Sequence, residues 1–249
     1  MQHLPGSDPA VARWLTALEE RHLRELTFPE VRRALQALSA LYVEGRHRLA
    51  KGEALDGRGK RAAFALFYGP LHFATTADVL RELAPTPPPR RILDLGCGTG
   101  AAGAAWALTC GAEVVGIDPS GWALQESAWT WRALGLRGTA RRGRMEEVEP
   151  RKGDAVVAGW SVNELDDAGR DALLPRLLDA GARGSRVLVL EPIARKPVPW
   201  WDAWSRAFTS AGGRDDAWRF RGAPPAIVAR LSQAAGLDHR ERTARTLAL

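Results

Sequence analysis

Two carboxylates, and the glycines between them, carry the strongest chemical signal in the chain. Asp94 lies in an apolar run, Ile92-Leu93-Asp94-Leu95, which meets a turn built on Gly96, Gly98 and Gly100 with Cys97 inside it. Ala101, Ala102, Gly103 and Ala104 then open a helix. A strand reversing into a helix needs unusual φ values, and a ligand lying on the turn excludes Cβ atoms. A second run, Val114-Val115-Gly116-Ile117, ends in Asp118-Pro119-Ser120. It follows the turn by roughly 20 residues, the spacing at which an acid reaches a cofactor ribose.

Two glycine frames overlap here. Gly98-x-Gly100-x-x-Gly103 fits the dinucleotide fingerprint, in which pyrophosphate sits on the helix N-terminus. Asp94-x-Gly96-x-Gly98-x-Gly100 instead puts a carboxylate where a pyrophosphate is repelled and a cation is welcome. Asp118 supports a nucleoside of either kind, so the choice rests on Asp94 and the first three glycines.

DLGCGTG followed by GIDPS resembles the class I S-adenosylmethionine-dependent methyltransferase superfamily, over about residues 90 to 249. That resemblance implies methyl transfer as the activity and S-adenosylmethionine as the cofactor. It further implies that Gly96 to Gly100 hold the methionine part, that Asp94 lies near its amino group and that Asp118 binds the ribose hydroxyls. Relatives place an acid after the third strand for the adenine amino group; the chain has Gly143-Arg144-Met145-Glu146-Glu147 there, so Met145 and Glu146 are the adenine candidates.

The elements that must position these groups alternate as a doubly wound α/β sheet does. Strands are expected near 91–95, 113–117, 138–142, 154–159, 186–191, 237–241 and 243–248, and helices near 100–109, 120–134, 168–180 and 225–235. Right-handed crossovers put the ligand crevice at the carboxyl ends of the parallel strands. The resemblance adds that the last two strands form an antiparallel hairpin, completing a Rossmann-like seven-stranded sheet. The fourth strand ends in Gly159-Trp160-Ser161-Val162-Asn163-Glu164, where the methyl group would point. Gly159 and Trp160 are candidates for the cofactor, Ser161 and Asn163 for the substrate, and Glu164 for a general base; capping of the following helix is the competing role for Asn163 and Glu164. The sequence lacks Asn-Pro-Pro-Tyr and a Pro-Cys nucleophile after this strand, which argues against amino-group nucleic-acid and cytosine-C5 methylation.

Ahead of the core, apolar residues at helical spacing mark residues 8 to 25 and 29 to 49, and the basic, glycine-rich stretch 51–61 reads as a mobile connection. Residues 62 to 83 suit helices on either side of a Gly69-Pro70 break. In the resembled superfamily the helix before the core covers the cofactor, making Tyr68, His72 and Thr75 lining candidates, with Tyr68 and His72 as further candidate bases. The expected division is a helical subdomain over 1–85 and a cofactor-binding core over 86–249. Residues 193 to 224 read as an insertion rich in aromatics, with Trp200 and Trp204 on one helical face, suited either to a platform for a planar substrate or to packing the insertion onto the core.

Composition sets the outer bounds. A hydrophobic fraction of 45% over 249 residues can bury a sizeable core. No apolar run is long enough for a membrane span and the N-terminus lacks a signal-peptide pattern, so a cytoplasmic location is expected. Cys97 and Cys110 form no metal-ligand cluster, and no metal is expected. The net charge of +6 invites RNA, but the arginines are spread over nearly every segment, which favours a small-molecule acceptor. A narrower resemblance, in the helical N-terminal half, Asn163-Glu164-Leu165 and Val189-Leu190-Glu191-Pro192, is to methyltransferase-like proteins associated with the mitochondrial ribosome and their bacterial relatives. It implies contact with small-subunit ribosomal RNA, either as a methyltransferase or as a non-catalytic assembly factor. The chain lacks cysteines after Cys110, so the iron–sulfur feature of that family does not carry over.

Overall fold

The computed structural model describes residues 8–44, 55–85, 87–194, 198–237 and 241–249, with the backbone alone for residues 41–44. The N-terminal part supplies α1 (Pro9–Leu23), α2 (Phe28–Glu44), α3 (Arg58–Ala63), a π turn over Phe64–Tyr68 and α4 (Gly69–Leu83). Then come β1 (Arg91–Leu95), α5 (Ala101–Cys110), β2 (Glu113–Asp118), α6 (Gly121–Ala133), β3 (Gly138–Arg142), β4 (Ala155–Gly159), α7 (Asp167–Ala182) and β5 (Arg186–Glu191). The chain ends in α8 (Trp201–Ser210), β6 (Arg214–Arg221), α9 (Ala226–Ala235) and β7 (Glu241–Ala248).

One seven-stranded sheet runs β3-β2-β1-β4-β5-β7-β6, parallel from β3 to β5 and antiparallel at β7 and β6. Side chains alternate across it. Ile92, Val114, Val157 and Leu188 face the cluster buried under α1, α2, α4, α5, α6 and α9. Leu93, Val115, Val156 and Val187 face the opposite cluster, under α7 and α8. The N-terminal helices therefore build one face of the sheet's own core. Arg21 and His22 of α1 also reach Glu126 of α6, which is 1% exposed, at 3.3 and 2.8 Å.

Three expectations need correction. The first strand of the terminal pair is β6 at Arg214–Arg221, inside the segment read as an insertion, and α9 lies between it and β7; of the strand expected at 237–241, residues 238–240 lie outside the described residues. Gly69-Pro70 does not break the helix. The Gly69 N–H donates to the Phe64 carbonyl, five residues back, and this π register absorbs the donor that proline lacks. Of the connection expected over 51–61, residues 51–54 lie outside the described residues, whereas α3 begins at Arg58. The helix expected to reach residue 49 is described as far as Glu44.

The β1–β2–β3 part of the sheet closes on Trp131, a fully buried residue of α6. Its indole Nε1–H donates to the Gly100 carbonyl at 2.9 Å, tying the helix to the glycine turn. The ring fills space that side chains would otherwise occupy: a Cβ on Gly116 of β2 would lie 2.5 Å from it, and one on Gly138 of β3 2.4 Å. Close approach thus explains these two strand glycines. Gly116→Ala is expected to lower stability by about 1–3 kcal/mol through overpacking, read as a lower urea midpoint at unchanged m-value.

Candidate active site

The carboxyl ends of β1, β2 and β4 surround a cavity of about 560 Å³, within the range of small-ligand sites. The glycine turn forms its floor. Gly96, Gly98 and Gly100 take φ of +64°, +51° and +74°, a path L side chains resist. The chain is pinned on both sides: the Gly98 N–H donates to Asp118 Oδ2 and the Gly103 N–H to Asp94 Oδ2, each at 3.0 Å. A Cβ on Gly103 would stand 2.7 Å from that same Asp94 oxygen, so the third glycine of the dinucleotide-like frame makes room for the carboxylate rather than for a phosphate.

Both acids are buried and form no ion pair among the described residues. Burial pushes Asp94 up to about 7; the Asp118 charge adds to this and the Gly103 N–H opposes it. Burial also raises Asp118, against the Ser120 and Gly98 N–H groups that its oxygens accept. The Cys97 thiol is held well above its ordinary range by burial and by the charges of both aspartates, so it is no nucleophile at neutral pH.

The covering helix and the β4 end supply the remaining walls. Tyr68, His72 and Thr75 of the π turn and α4 line the cavity, as do Pro119, Met145, Gly159, Trp160, Ser161, Asn163 and Glu164. The His72 and Trp160 rings stack with centroids 3.8 Å apart and planes 3° from parallel. Trp160 has φ +57°, a costly conformation for a bulky residue. Its N–H donates to the Leu190 carbonyl at 2.7 Å. Burial pushes His72 down to about 3, so it is neutral, and raises Tyr68, whose hydroxyl lies 3.3 Å from Ser39 Oγ. Glu164 is ringed by protein while its side chain stays open to the water-accessible cavity. The surrounding protein and the Asp118 charge push Glu164 up to about 7.

The second wall of the β4 end joins two sequence features read separately. The Asn163 N–H donates to Glu191 Oε1 at 2.9 Å and its amide nitrogen donates to Glu191 Oε2, so Asn163-Glu164-Leu165 and the Glu191-Pro192 pair clasp each other. The cap of α7 is Asp166, accepting from the Gly169 N–H at 2.8 Å, which leaves Asn163 and Glu164 to the cavity. Ser161 Oγ donates to the Leu95 carbonyl at 2.8 Å and ties β4 to β1.

Four expected residues are not brought to the cavity. Gly100 sits behind the turn under Trp131. Glu146 is turned to Arg144, whose Nε approaches Oε1 at 2.6 Å, and of the expected pair Met145 alone lines the cavity. Trp204 is 3% exposed beside Phe208 in the core under α8, and Trp200 packs edge-on against it at 4.8 Å. The aromatics of the supposed insertion thus hold α8 to the sheet. Glu241, Arg242 and Thr243 of β7 do line the cavity; the sequence offered no signal for this, because β7's place in the sheet brings them there.

Residues 92–183 match the family model described as a methyltransferase domain. The stretch from β1 to α7 is thus similar to a methyltransferase domain, within a seven-stranded Rossmann-like sheet. No curated protein matches the chain. Among solved structures, the methyltransferase domain of bacterial CtHen1 aligns at 14% identity over 72% of this chain and 96% of its own, with a TM-score of 0.49. A TehB-like S-adenosylmethionine-dependent methyltransferase of Corynebacterium glutamicum aligns at 18% identity over 69% and 85%, with a TM-score of 0.45. The tRNA (uracil-54, C5)-methyltransferase of Pyrococcus abyssi, in complex with S-adenosyl-L-homocysteine, aligns at 15% identity over 70% and 38%, with a TM-score of 0.45. The cavity suits a cationic ligand chemically: bare turn backbone, and two buried acids without a cationic partner among the described residues.

A cationic ligand beside Asp94 favours the ionised carboxylate, so its affinity is full above about pH 7 and falls as pH drops through that value. Calorimetric titration with S-adenosylmethionine at pH 8, 7 and 6 is expected to show weakening that approaches about tenfold per unit at the acid end. Asp94→Asn is expected to bind more weakly at pH 8 and to flatten that dependence.

Proposed function

We propose that the domain methylates a small, flat acceptor held against the His72–Trp160 pair, with Glu164 taking the acceptor's proton. The observation that carries this reading is the stacked pair itself, two flat rings meeting 3.8 Å apart from different elements on the wall of the cavity. In this reading Asp94, Gly96 and Gly98, which line the cavity, hold the methionine part of the cofactor, Asp118 and Pro119 face the ribose, and Met145 covers the adenine side. The cofactor's sulfonium supplies an already activated methyl group, so the protein's main contribution is positioning.

Proton removal matters when the acceptor arrives as an O–H or N–H group. Three groups are candidates. Tyr68 is raised and donates or accepts at Ser39, and neutral His72, held near 3, is a weak base. Glu164, held at about 7, matches a proton transfer near neutral pH. Trp160 and His72 orient the acceptor, and the Asn163–Glu191 clasp fixes the turn from which Glu164 projects.

A second reading, action on or binding to ribosomal RNA, is favoured by Arg137, Arg141 and Arg142. They are exposed on β3 and just ahead of it, at the sheet edge, and have no acidic partner among the described residues. Turnover with labelled S-adenosylmethionine on separate small-molecule and RNA pools separates these readings. Label in the small-molecule pool supports the proposal and label in RNA the second reading, whereas tight cofactor binding without transfer to either pool marks a non-catalytic assembly factor. With the small acceptor in hand, Glu164→Gln is expected to lower kcat by about 10²–10⁴, to abolish the acid limb of the pH–rate profile near 7, and to leave cofactor affinity unchanged.

A further inference from the structure

The cavity lining carries both signs of charge. Asp94, Asp118 and Glu164 surround the glycine turn, whereas Arg242 enters from the start of β7. Arg242 pairs with Asp78 of α4, but that carboxylate already accepts Arg81 Nη1 at 2.8 Å through its other oxygen. One acid serving two guanidiniums leaves a net positive charge. The neighbouring Glu241 is likewise shared between Arg219 and Arg221, each at 3.2 Å. Arg242 has donors to spare: its side chain is 11% exposed, and its Nε is buried with no partner. Buried donors in native proteins are ordinarily satisfied, so a buried Nε without a partner on a cavity-lining arginine points to a missing acceptor.

We propose that Arg242 binds an anionic group, a carboxylate or a phosphate, of the methyl acceptor. The inference rests on the small-acceptor reading of the same cavity and narrows it to an anionic compound. Its dimensions follow from α4: His72 and Asp78 are less than two turns apart, about 9 Å along the axis. An aromatic ring on the Trp160–His72 wall therefore places a pendant anion within reach of the guanidinium that Asp78 holds. The Asp78 ion pair preorganises the fork without neutralising it, and planar guanidinium geometry suits both anions.

The test uses the full chain loaded with S-adenosylhomocysteine and titrated calorimetrically with three probes: 4-hydroxybenzoate, phenyl phosphate and the uncharged 4-hydroxybenzamide. At least one anionic probe is expected to bind about tenfold or more tightly than the amide, to weaken with added salt, and to lose that advantage in Arg242→Gln; which anion wins separates carboxylate from phosphate. Arg242→Lys keeps an ion pair to Asp78 and is expected to bind with intermediate affinity, and it decides the matter if Arg242→Gln does not fold. Equal binding of charged and neutral probes, no binding of either anion, or full affinity in the variants overturns the role of Arg242. Failure to bind S-adenosylhomocysteine contradicts the cofactor assignment instead, and label appearing in the RNA pool contradicts the small-acceptor reading, so the three failures are distinguishable.

Discussion

Two carboxylates buried at the tips of neighbouring parallel strands impose the constraint around which this molecule is built. Asp94 is 1% exposed and Asp118 9%, and neither has an ion-pair partner among the described residues. Like charges at low dielectric repel and resist ionisation. Backbone N–H groups are the available remedy, and the glycine turn delivers them: Gly98 to Asp118, Gly103 to Asp94 and Ser120 to Asp118. The turn is thus both the floor of the ligand cavity and the hydrogen-bonding shell of its acids. A substitution that moved it would lose both at once.

Because the turn must be so placed, its supports are rigid. Trp131 grips it from behind through the Gly100 carbonyl. The covering helix meets it from the front, where Gly69 lies so near Thr99 that a Cβ would stand 3.3 Å from its hydroxyl. The π turn at Phe64–Tyr68 sets the register of that approach, and local π geometry is frequent where a helix must aim side chains at a site. Residues between the two supports have little freedom, which suits a site whose catalysis depends on alignment.

What could be read from the sequence divides along this same line. The turn and its acids were legible because adjacent residues make them, with side-chain types that physics restricts. The parallel strands β1, β2, β4 and β5 were legible because both of their faces are buried, giving near-continuous apolar runs. Strand β6 was not. As an edge strand it buries one face only in part, and Arg214-Asp215-Asp216 hides the period-two placing of Trp218 and Phe220. Trp200 and Trp204 showed the right helical face, but a periodicity does not say whether that face meets a ligand or a core. The His72–Trp160 stack, the Asn163–Glu191 clasp and the arrival of Arg242 join distant segments, and pairings of that kind exist only in the folded chain.

The left-handed backbone of Trp160 shows how such pairings act together. A bulky residue at φ +57° costs on the order of 1–3 kcal/mol and persists only where its surroundings over-determine it. Here its N–H is held by the Leu190 carbonyl at 2.7 Å, while its own carbonyl accepts the Asn163 amide at 3.4 Å. Asn163 in turn is clasped by Glu191, which is fully buried at the end of β5. The strain is therefore borne by the carboxyl ends of β4 and β5 in the middle of the sheet, and its effect is to turn the indole back over the cavity onto His72. An extended backbone at residue 160 would carry the ring away from that wall. The imidazole, which burial holds near 3 and so neutral, completes the arrangement as an uncharged flat ring against the indole.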